Sequence, residues 1–418
     1  MTITAFGAVA GLLSAIVLIL IKLPPVYALL LGAVLGGIIG GADLPMTISF
    51  MMEGAEGMIP AVLRVLAAGV LAGVMIESGA ASSIASAVVK ALGEKRALLA
   101  LVLATMILTA VGVFIVVAVM TVASIALAIA YKAHLSKAAV LLAMVGGGKA
   151  GNLISPNPNT IALADAFDLP LTTVMAAGLP SASAGVVTTY LIAKKLGDRG
   201  AFVDNKETPA ESVQLPHIGT SVIAPALAIF LLLLNPAAGI DIDPLIALPT
   251  GAVAGALAMR KASHLNEYVT LGLGKVSAVA VLLLGTGTIA GIISNSALPA
   301  LVTGGVDTAG MPAFLIAPLS GILMGGATAS TTAGSVVAGE VFSGMLLELG
   351  VSALAGAAMI HAGATMIDHL PHGSFFHASA ASVGMAIKER LKLFPYETAI
   401  GTVLTLTAVL LYGVLDLF

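Results

Sequence analysis

Apolar runs alternate with short polar breaks along nearly the whole chain. Many of these runs reach the ~20 residues that a helix needs to cross the hydrocarbon core of a bilayer. None shows the ~10-residue alternation of an outer-membrane barrel strand. The pattern therefore predicts an all-α polytopic membrane protein. In the first half we expect spans at residues 2–21, 26–41, 62–76, 137–148 and 171–193. The apolar run at 97–130 is about 34 residues long and has one weak interruption near Thr109–Gly112.

Two short polar stretches interrupt this pattern at corresponding places. The sequence ESGAASS at 77–83 precedes an apolar run, 84–92, that is too short to cross a membrane. The sequence SNSA at 294–297 has a similar position in the second half. A helix that enters the membrane and turns back would leave backbone groups free at such a tip. We therefore predict two re-entrant hairpins, whose tips offer backbone groups to a ligand.

Landmarks of the first half recur in the same order in the second half. LLLGAVLGG resembles LPTGAVAGA, LAGVMIESGA resembles IAGIISNSAL, and the polar stretch around Pro156 corresponds to the stretch around Pro371. This order predicts two repeats, residues 1–199 and 217–418, joined by a linker at 200–216.

Basic residues give a predicted orientation. By the positive-inside rule they mark cytoplasmic loops. The clusters are Lys22, Lys194 with Lys195 and Arg199, Arg260 with Lys261, and Lys388 with Arg390 and Lys392. The N-terminus and the C-terminus are then outside and the linker is cytoplasmic, so the two repeats have opposite orientations. Inverted repeats with broken helices at the midplane are typical of secondary transporters.

Composition supports a membrane protein and excludes several other classes. The chain of 418 residues is 59% hydrophobic and 9% charged, whereas a soluble domain is about 25% charged. It has no cysteine and a net charge of −3, which argues against thiol chemistry, a cysteine metal site and nucleic acid. We expect no metal, no cofactor and no enzymatic activity, and a location in the bacterial inner membrane.

Polar residues inside apolar segments are the candidates for binding, because the membrane interior makes them costly. SPNPNT at 155–160 and DHLPHGS at 368–374 each contain proline, which breaks a helix. GGATASTTAGS at 325–335 suggests an unwound helix rich in hydroxyl groups. The predicted substrate-binding residues are Glu77, Ser78, Gly79, Lys149, Asn152, Ser155, Asn157, Asn159, Thr160, Ser294, Asn295, Ser296, Thr328, Ser330, Thr331 and Thr332.

Titratable side chains divide between the two polar stretches. Lys149 lies between GGG and AGN and suits an anionic substrate. Asp368, His369 and His372 concentrate on the other side, and a histidine near its ordinary pKa can carry a proton. We predict binding by the Lys149 stretch and proton coupling by these three residues. The charged residues Arg64, Lys275 and Glu340 are expected to extend to the membrane interface.

These segments resemble the gluconate permease (GntP) family of the ion transporter superfamily. LAGVMIESGAASSIA is similar to the first family hairpin and IAGIISNSAL to the second, and NLISPNPNTIA, GGATASTTAG and MIDHLPHGSFF resemble three further family segments. The resemblance implies a proton-coupled importer of sugar acids or hydroxy-carboxylates. It also implies a homodimer in which a transport domain moves against a scaffold domain like an elevator. Asn157-Pro158-Asn159 departs from the His-Pro-Gly of the family.

Three alternatives remain. Sodium coupling would use Asn152, Asn295 and the carbonyl groups of the hairpin tips. An intramembrane enzyme would use the cluster of histidine and aspartate residues, which is the only feature that favours it. A channel is a third alternative, but paired broken segments favour alternating access over an open pore.

Overall fold

The structure is a computed structural model that describes residues 2–204 and 214–417. Every regular element in this part of the chain is helical. The helices of the first half are α1 (Ala5–Leu20), α2 (Pro25–Ile39), α3 (Leu44–Gly57), α4 (Ile59–Glu77), α5 (Ala80–Leu92), α6 (Ala97–Ala110), α7 (Ile115–Lys132), α8 (Lys137–Asn152), α9 (Pro158–Ala166), α10 (Leu171–Ala177) and α11 (Leu179–Leu196).

The second half has the same number of α-helices. They are α12 (Ile218–Ser221), α13 (Ile223–Ala238), α14 (Pro244–Ala258), α15 (Leu265–Ser294), α16 (Leu298–Ala309), α17 (Ile316–Thr328), α18 (Thr331–Glu348), α19 (Ala353–Ala364), α20 (Ser374–Ser382), α21 (Ile387–Leu391) and α22 (Phe394–Ala408). A π-helical turn, Val409–Val414, extends α22.

Several helical segments of the described chain could cross a membrane. Six are long and apolar enough by length and composition, namely Ile59–Glu77, Ile115–Lys132, Leu171–Leu196, Ile218–Ala238, Ala262–Ser294 and Ile387–Val414. Shorter apolar helices accompany them, and large hydrophobic side chains such as Phe6, Tyr27 and Phe230 are exposed. An all-α membrane protein is thus what the structure shows.

The helices form two groups that pack on each other. In one group α1, α2, α3, α4, α13, α14 and α15 pack together, and in the other α6, α7, α8, α9, α11, α17, α18, α19, α20 and α22 pack together. Contacts between α15 and α18 and between α4 and α9 join the groups. The second group contains most of the buried polar side chains, and it is the group that builds the site.

The apolar run at 97–130 is a helical hairpin, which turns beside the weak interruption noted at 109–112. The helix α6 ends at Ala110, Gly112 has a φ of +97°, and α7 begins at Ile115 and packs back on α6. The left-handed φ favours glycine and allows the sharp turn. In the second half α17 and α18 form a similar hairpin around Ala329, which has a φ of +46°.

Four helices around the two hairpins begin at equally spaced positions in the two halves. Equal lengths of chain separate Ile115 from Thr331 and Pro158 from Ser374, the first residues of α7, α18, α9 and α20. In each half a hairpin is followed by a helix that breaks near its middle. The four helix starts therefore have corresponding positions in the chain, and the next section shows that they also meet in space.

Candidate functional site

A cavity of about 120 Å³ lies where four helices of the second group begin. Its lining combines the tips of both hairpins with the breaks after α8 and α19. The lining residues are Phe114, Ile115, Val116, Asn152, Asn157, Pro158, Asn159, Ala329, Ser330, Thr331, Thr332, Asp368, Ser374 and Phe375. The cavity therefore joins the two polar stretches that the sequence singled out and adds both hairpin tips.

The N-termini of α7, α9, α18 and α20 all border this cavity. The first N–H groups of a helix have no partner within the helix, and the helix dipole makes that end positive. Side chains cap two of these ends, since Asn157 accepts from α9 and Ser330 from α18. The starts of α7 and α20 have no side-chain cap. Their N–H groups are available to an anion.

Asn157 holds the break between α8 and α9 in shape. Its Oδ1 accepts from the backbone N–H groups of Asn159 at 2.9 Å and Thr160 at 3.1 Å. Its Nδ2 donates to Asn152, at 2.6 Å to the side-chain oxygen and 2.9 Å to the carbonyl oxygen. The hydroxyl of Thr160 adds a bond of 3.3 Å to the same Oδ1. These contacts commit Asn157 and Thr160 to the local fold.

Asn159 differs from Asn157, because its Nδ2 is buried and has no hydrogen-bond partner. The residue is only 1% exposed and lines the cavity. Since an unpaired buried amide is costly, a ligand oxygen is the partner that this group lacks. Ser155 also has a buried hydroxyl without a partner, but it does not line the cavity.

Lys149 and Asp368 form a buried ion pair. Nζ of Lys149 lies 2.5 Å from Oδ1 of Asp368 and donates to the carbonyl oxygen of Thr365 at 2.7 Å. It also lies 3.1 Å from Nδ1 of His369. Asp368 neutralises the lysine. Asp368 also lines the cavity, whereas Lys149 does not. The two residues therefore form one unit rather than a binding half and a titrating half.

This ion pair is tied to the second hairpin. The hydroxyl of Thr331 donates to Oδ2 of Asp368. His369 lies 3.1 Å from the hydroxyl of Thr398 through Nε2. Nδ1 of His369 also lies 3.3 Å from Oδ1 of Asp368. The lysine of α8, the break after α19 and the start of α18 are thus joined by one network.

The other predicted residues of the second hairpin have varied roles. The hydroxyl of Thr328 donates to the carbonyl oxygen of Met324 at 2.8 Å, and Ser330 caps α18. Thr332 lines the cavity beside Thr331.

His372, in the break after α19, is exposed, and its Nε2 donates to the carbonyl oxygen of Ala327 at 3.1 Å. It therefore supports the hairpin from outside the cavity.

Six predicted site residues lie apart from the cavity, in the turns between α4 and α5 and between α15 and α16. Those residues are Glu77, Ser78, Gly79, Ser294, Asn295 and Ser296, and none belongs to its lining. Lys275 pairs with Glu77 at 3.4 Å, and the N–H of Ile3 donates to the carbonyl oxygen of Asn295 at 3.0 Å. The structure does not bring these two turns to the site, because α6–α7 and α17–α18 are the hairpins that reach it.

One side of the cavity is lined by residues that were not among the predicted site residues. Phe114, Ile115 and Val116 line it from the first hairpin, and Ser374 and Phe375 line it from α20. The signal for the first hairpin was present in Gly112, which interrupts a long apolar run. The polar groups at this tip are backbone N–H groups without a side-chain cap, so the apolar side chains around it gave no polar signal.

Two charged residues also differ from expectation. Arg390, predicted in a basic loop, is fully buried and bonded to Glu397, with Nη2 to Oε2 at 3.0 Å. Arg64, predicted at the interface, bonds Asp165 of α9 and lies 2.7 Å from Asp243. The desolvation that would raise the pKa of Asp243 is outweighed by Arg64 and the N–H of Leu245, so this pKa is lowered. Both arginines are neutralised by acids.

A larger cavity of about 300 Å³ surrounds Arg64, Asp165 and Asp243. The arginine in this cavity is already bonded to two carboxylates. None of the residues that line the cavity belongs to the breaks after α8 and α19. No group of three or more histidine, cysteine, aspartate or glutamate side chains suited to a metal occurs among the described residues. The cavity at the four helix starts is the better candidate for the substrate site.

Comparisons with known proteins agree with a transporter. The sequence profile described as the GntP family permease matches residues 1–244. The chain is 58% identical to an uncharacterized transporter of Haemophilus influenzae, over 99% of both chains. It is 23% identical to the high-affinity gluconate transporter of Escherichia coli, over 93% of this chain and 94% of that one.

A solved structure shares the fold. The Alcanivorax borkumensis YdaH transporter, described as having an unusual topology, superimposes with a TM-score of 0.60 at 16% identity. The similarity covers 89% of each chain. The comparisons and the helices together establish a multi-pass membrane protein that acts as a transporter.

Proposed function

Because the chain belongs to the GntP family of permeases, we propose that it is a secondary transporter that imports a small organic anion together with protons. The substrate class is a sugar acid or a related hydroxy-carboxylate. The observation that supports this most directly is the meeting of four helix N-termini, two of them without side-chain caps, around one small cavity.

The two kinds of group in the cavity suit the two parts of such a substrate. The carboxylate would bind at the uncapped starts of α7 and α20, where backbone N–H groups and helix dipoles favour negative charge. The hydroxyl groups would bond the free Nδ2 of Asn159 and the hydroxyl of Thr332. Asp368, which also lines the cavity, is neutralised by Lys149 and so repels an anion less than a free carboxylate would.

A charge placed at the start of α20 tests this arrangement. Ser374→Asp adds a carboxylate where the substrate carboxylate would bind, while an acid in the first turn suits the helix itself. We expect this variant to remain folded and its gluconate affinity to fall by more than about tenfold, a loss of ~1.4 kcal/mol. Ser374→Asn is the neutral control of the same shape. Equal affinities of the two variants would contradict an anion site there.

The measurement is uptake of radiolabelled gluconate and other hydroxy-carboxylates into proteoliposomes, together with thermal unfolding of purified protein. A true ligand raises the melting temperature with concentration, because it binds the native state. Proton coupling predicts that an inward proton gradient stimulates uptake. Replacing Na⁺ by choline at fixed pH then leaves uptake unchanged, and a loss of uptake would indicate sodium coupling instead.

Orientation in the inner membrane forms part of the proposal. The basic Lys261 and the linker lie at the same end of the molecule, since Lys261 bonds the carbonyl oxygen of Ser78 and Ser83 bonds that of Pro216. This supports a cytoplasmic linker by the positive-inside rule. The N-terminus would be outside, and residues 1–199 and 217–418 would form an inverted pair.

We also propose an elevator movement within a homodimer, as the family resemblance implies. The division into two packed helix groups supports a moving part that carries the whole cavity, since the four helix starts belong to the second group. The group of α1–α4 and α13–α15 would then be the scaffold. Mass measurement of the purified protein in native lipid nanodiscs checks the dimer.

A further inference from the structure

Among the partly or fully buried acids that the structure describes, Glu340 has no cation beside its carboxyl, whereas five others do. It lies in the second half of α18, and its Oε1 is buried without a hydrogen-bond partner. The pairs are Glu77 with Lys275, Asp165 and Asp243 with Arg64, Asp368 with Lys149, and Glu397 with Arg390.

An isolated carboxylate in an apolar environment is strongly disfavoured, and such a group takes up a proton instead. The titratable side chains described on α9, α15 and α19 do not offer it a partner. Asp165 of α9 is bonded to Arg64, Lys275 of α15 to Glu77, and Glu267 of α15 to His264. Tyr268 of α15 and His361 of α19 are buried, and neither bonds Glu340. The helix α17 has no titratable residue.

The helix that carries Glu340 lies at the seam between the two helix groups. Gly334 of α18 packs on Gly325 of α17, and Gly339 packs on Leu163 of α9. Successive residues of a helix are about 100° apart, so Glu340 points away from both contacts. The helix α15 packs on α18 as well, and α15 belongs to the first group. Glu340 therefore lies on a helix of the second group that borders the first group at α15.

We propose that Glu340 binds the coupling proton and carries it across the membrane with the substrate. This inference rests on the proposed transport function. As a neutral acid Glu340 can pass along the apolar seam against α15. As a carboxylate it would have to remain at an end of the seam where water reaches it, because an unpaired charge inside the seam is strongly disfavoured. The proton binds from water on one side and leaves to water on the other.

The same helix connects this proton to the cavity. The first turn of α18 lines the cavity through Thr331 and Thr332, and Thr331 bonds Asp368. A rigid α18 moves the carboxyl and the cavity lining together. Asp368 itself is held by Lys149 and Thr331, so exchanging a proton there would break the network. Glu340 can exchange its proton without disturbing any bond seen in the structure.

The first test does not depend on transport or on a substrate. Infrared difference spectra of wild type minus Glu340→Gln, in lipid at neutral pH, should show the C=O band of a protonated carboxylic acid. The band should be retained and shifted in Glu340→Asp, which keeps the carboxyl. Absence of the band would overturn the proposal, even if the protein transports nothing that is tested.

The second test separates coupling from movement of the substrate. Counterflow of labelled gluconate in proteoliposomes needs no proton gradient, whereas accumulation needs one. In Glu340→Gln we expect counterflow within about twofold of wild type, but no stimulation by an inward proton gradient and no acidification of the interior reported by a trapped dye. Glu348→Gln, an exposed acid at the end of the same helix, should behave as wild type.

Three outcomes would contradict the proposal. Glu340→Gln that keeps the gradient stimulation shows that another group carries the proton. A loss of counterflow in both Glu340→Gln and Glu340→Asp shows a structural role. Loss of stimulation in His361→Asn, with stimulation retained in Glu340→Gln, assigns the proton to His361. Wild type without gluconate counterflow would instead reject the substrate proposed above and leave the infrared test to decide on Glu340.

Discussion

Lys149 shows how the partner of a residue changes its role. A lysine in an apolar helix of the sequence predicts an anion site. In the structure, however, Asp368 lies 2.5 Å from Nζ of Lys149 and neutralises its charge. A buried ion pair contributes little net stability, whereas removing one partner leaves an uncompensated charge. The pair therefore acts on the shape of the site, since it holds α8 against the break after α19.

This pair gives a testable double-mutant cycle. Lys149→Met and Asp368→Leu should each lower the free energy of unfolding by about 3–5 kcal/mol, because each leaves one buried charge without its partner. The double variant should recover most of this loss. Denaturant unfolding of the purified protein measures all three, and Lys275→Met is the control for a partly exposed pair. Additive losses in the double variant would contradict a coupled pair.

The two asparagines around Pro158 should respond differently to the same change. Asn157→Ala removes the cap of α9 and should cost about 1 kcal/mol or more in stability. Asn159→Ala removes a donor that has no partner in the protein, so stability should be unchanged or higher. Its gluconate affinity should fall about tenfold, as for a lost hydrogen bond of ~1.4 kcal/mol.

Thermal unfolding and gluconate titration of the two asparagine variants separate these effects. A loss of stability in Asn159→Ala with unchanged affinity would assign that side chain to the fold instead of the ligand. The prediction depends on burial of both residues, since each is no more than 2% exposed.

At the scale of helices, the close approach of α6 and α8 holds the first broken helix in place. A Cβ at Gly147 would lie 2.2 Å from the carbonyl oxygen of Val102. Small residues at such contacts let two membrane helices approach closely. The approach also aligns the end of α8, and therefore Asn152, with the cavity.

Gly147→Ala should consequently destabilise the protein, because the contact is with backbone and cannot be relieved by a side-chain movement. The matched control is Gly274→Ala in α15, where a Cβ would meet nothing within 4 Å. That change should be neutral or stabilising by up to about 1 kcal/mol through helix propensity. Melting temperatures in detergent compare the two variants. A similar shift of the melting temperature in both variants would show that the contact between α6 and α8 does not determine stability.

For the whole molecule, the absence of cysteine in the sequence makes the predicted orientation easy to test. Thr2→Cys, Asp198→Cys and Asp416→Cys place single thiols at exposed positions in the N-terminal segment, before the linker, and near the C-terminus. In intact cells a membrane-impermeant maleimide should label the first and last but not Asp198→Cys. Disrupted cells should show labelling of all three. The opposite pattern would reverse the orientation.

Much of the architecture could be predicted from sequence because the signals are local. Span length follows from the thickness of the bilayer, and Pro156 and Pro158 mark a helix break through their missing N–H groups. The segments at 155–160 and 328–332 therefore appeared as candidates before any fold was known. The hairpin at Val111–Phe114 appeared only as a weak interruption and gave no site residue, since an apolar turn looks like the middle of a span.

The sequence by itself determined a helical membrane protein, its breaks and the family that its segments resemble. The pairing of charges was decided only by tertiary structure, because Lys149 and Asp368 are 219 residues apart in the chain. The choice of hairpins was decided there too, since packing brings α7 and α18 to the cavity and leaves the turns at Ser78 and Asn295 elsewhere. The positive end of a helix is a property of any sequence, and only the fold determines where four such ends meet.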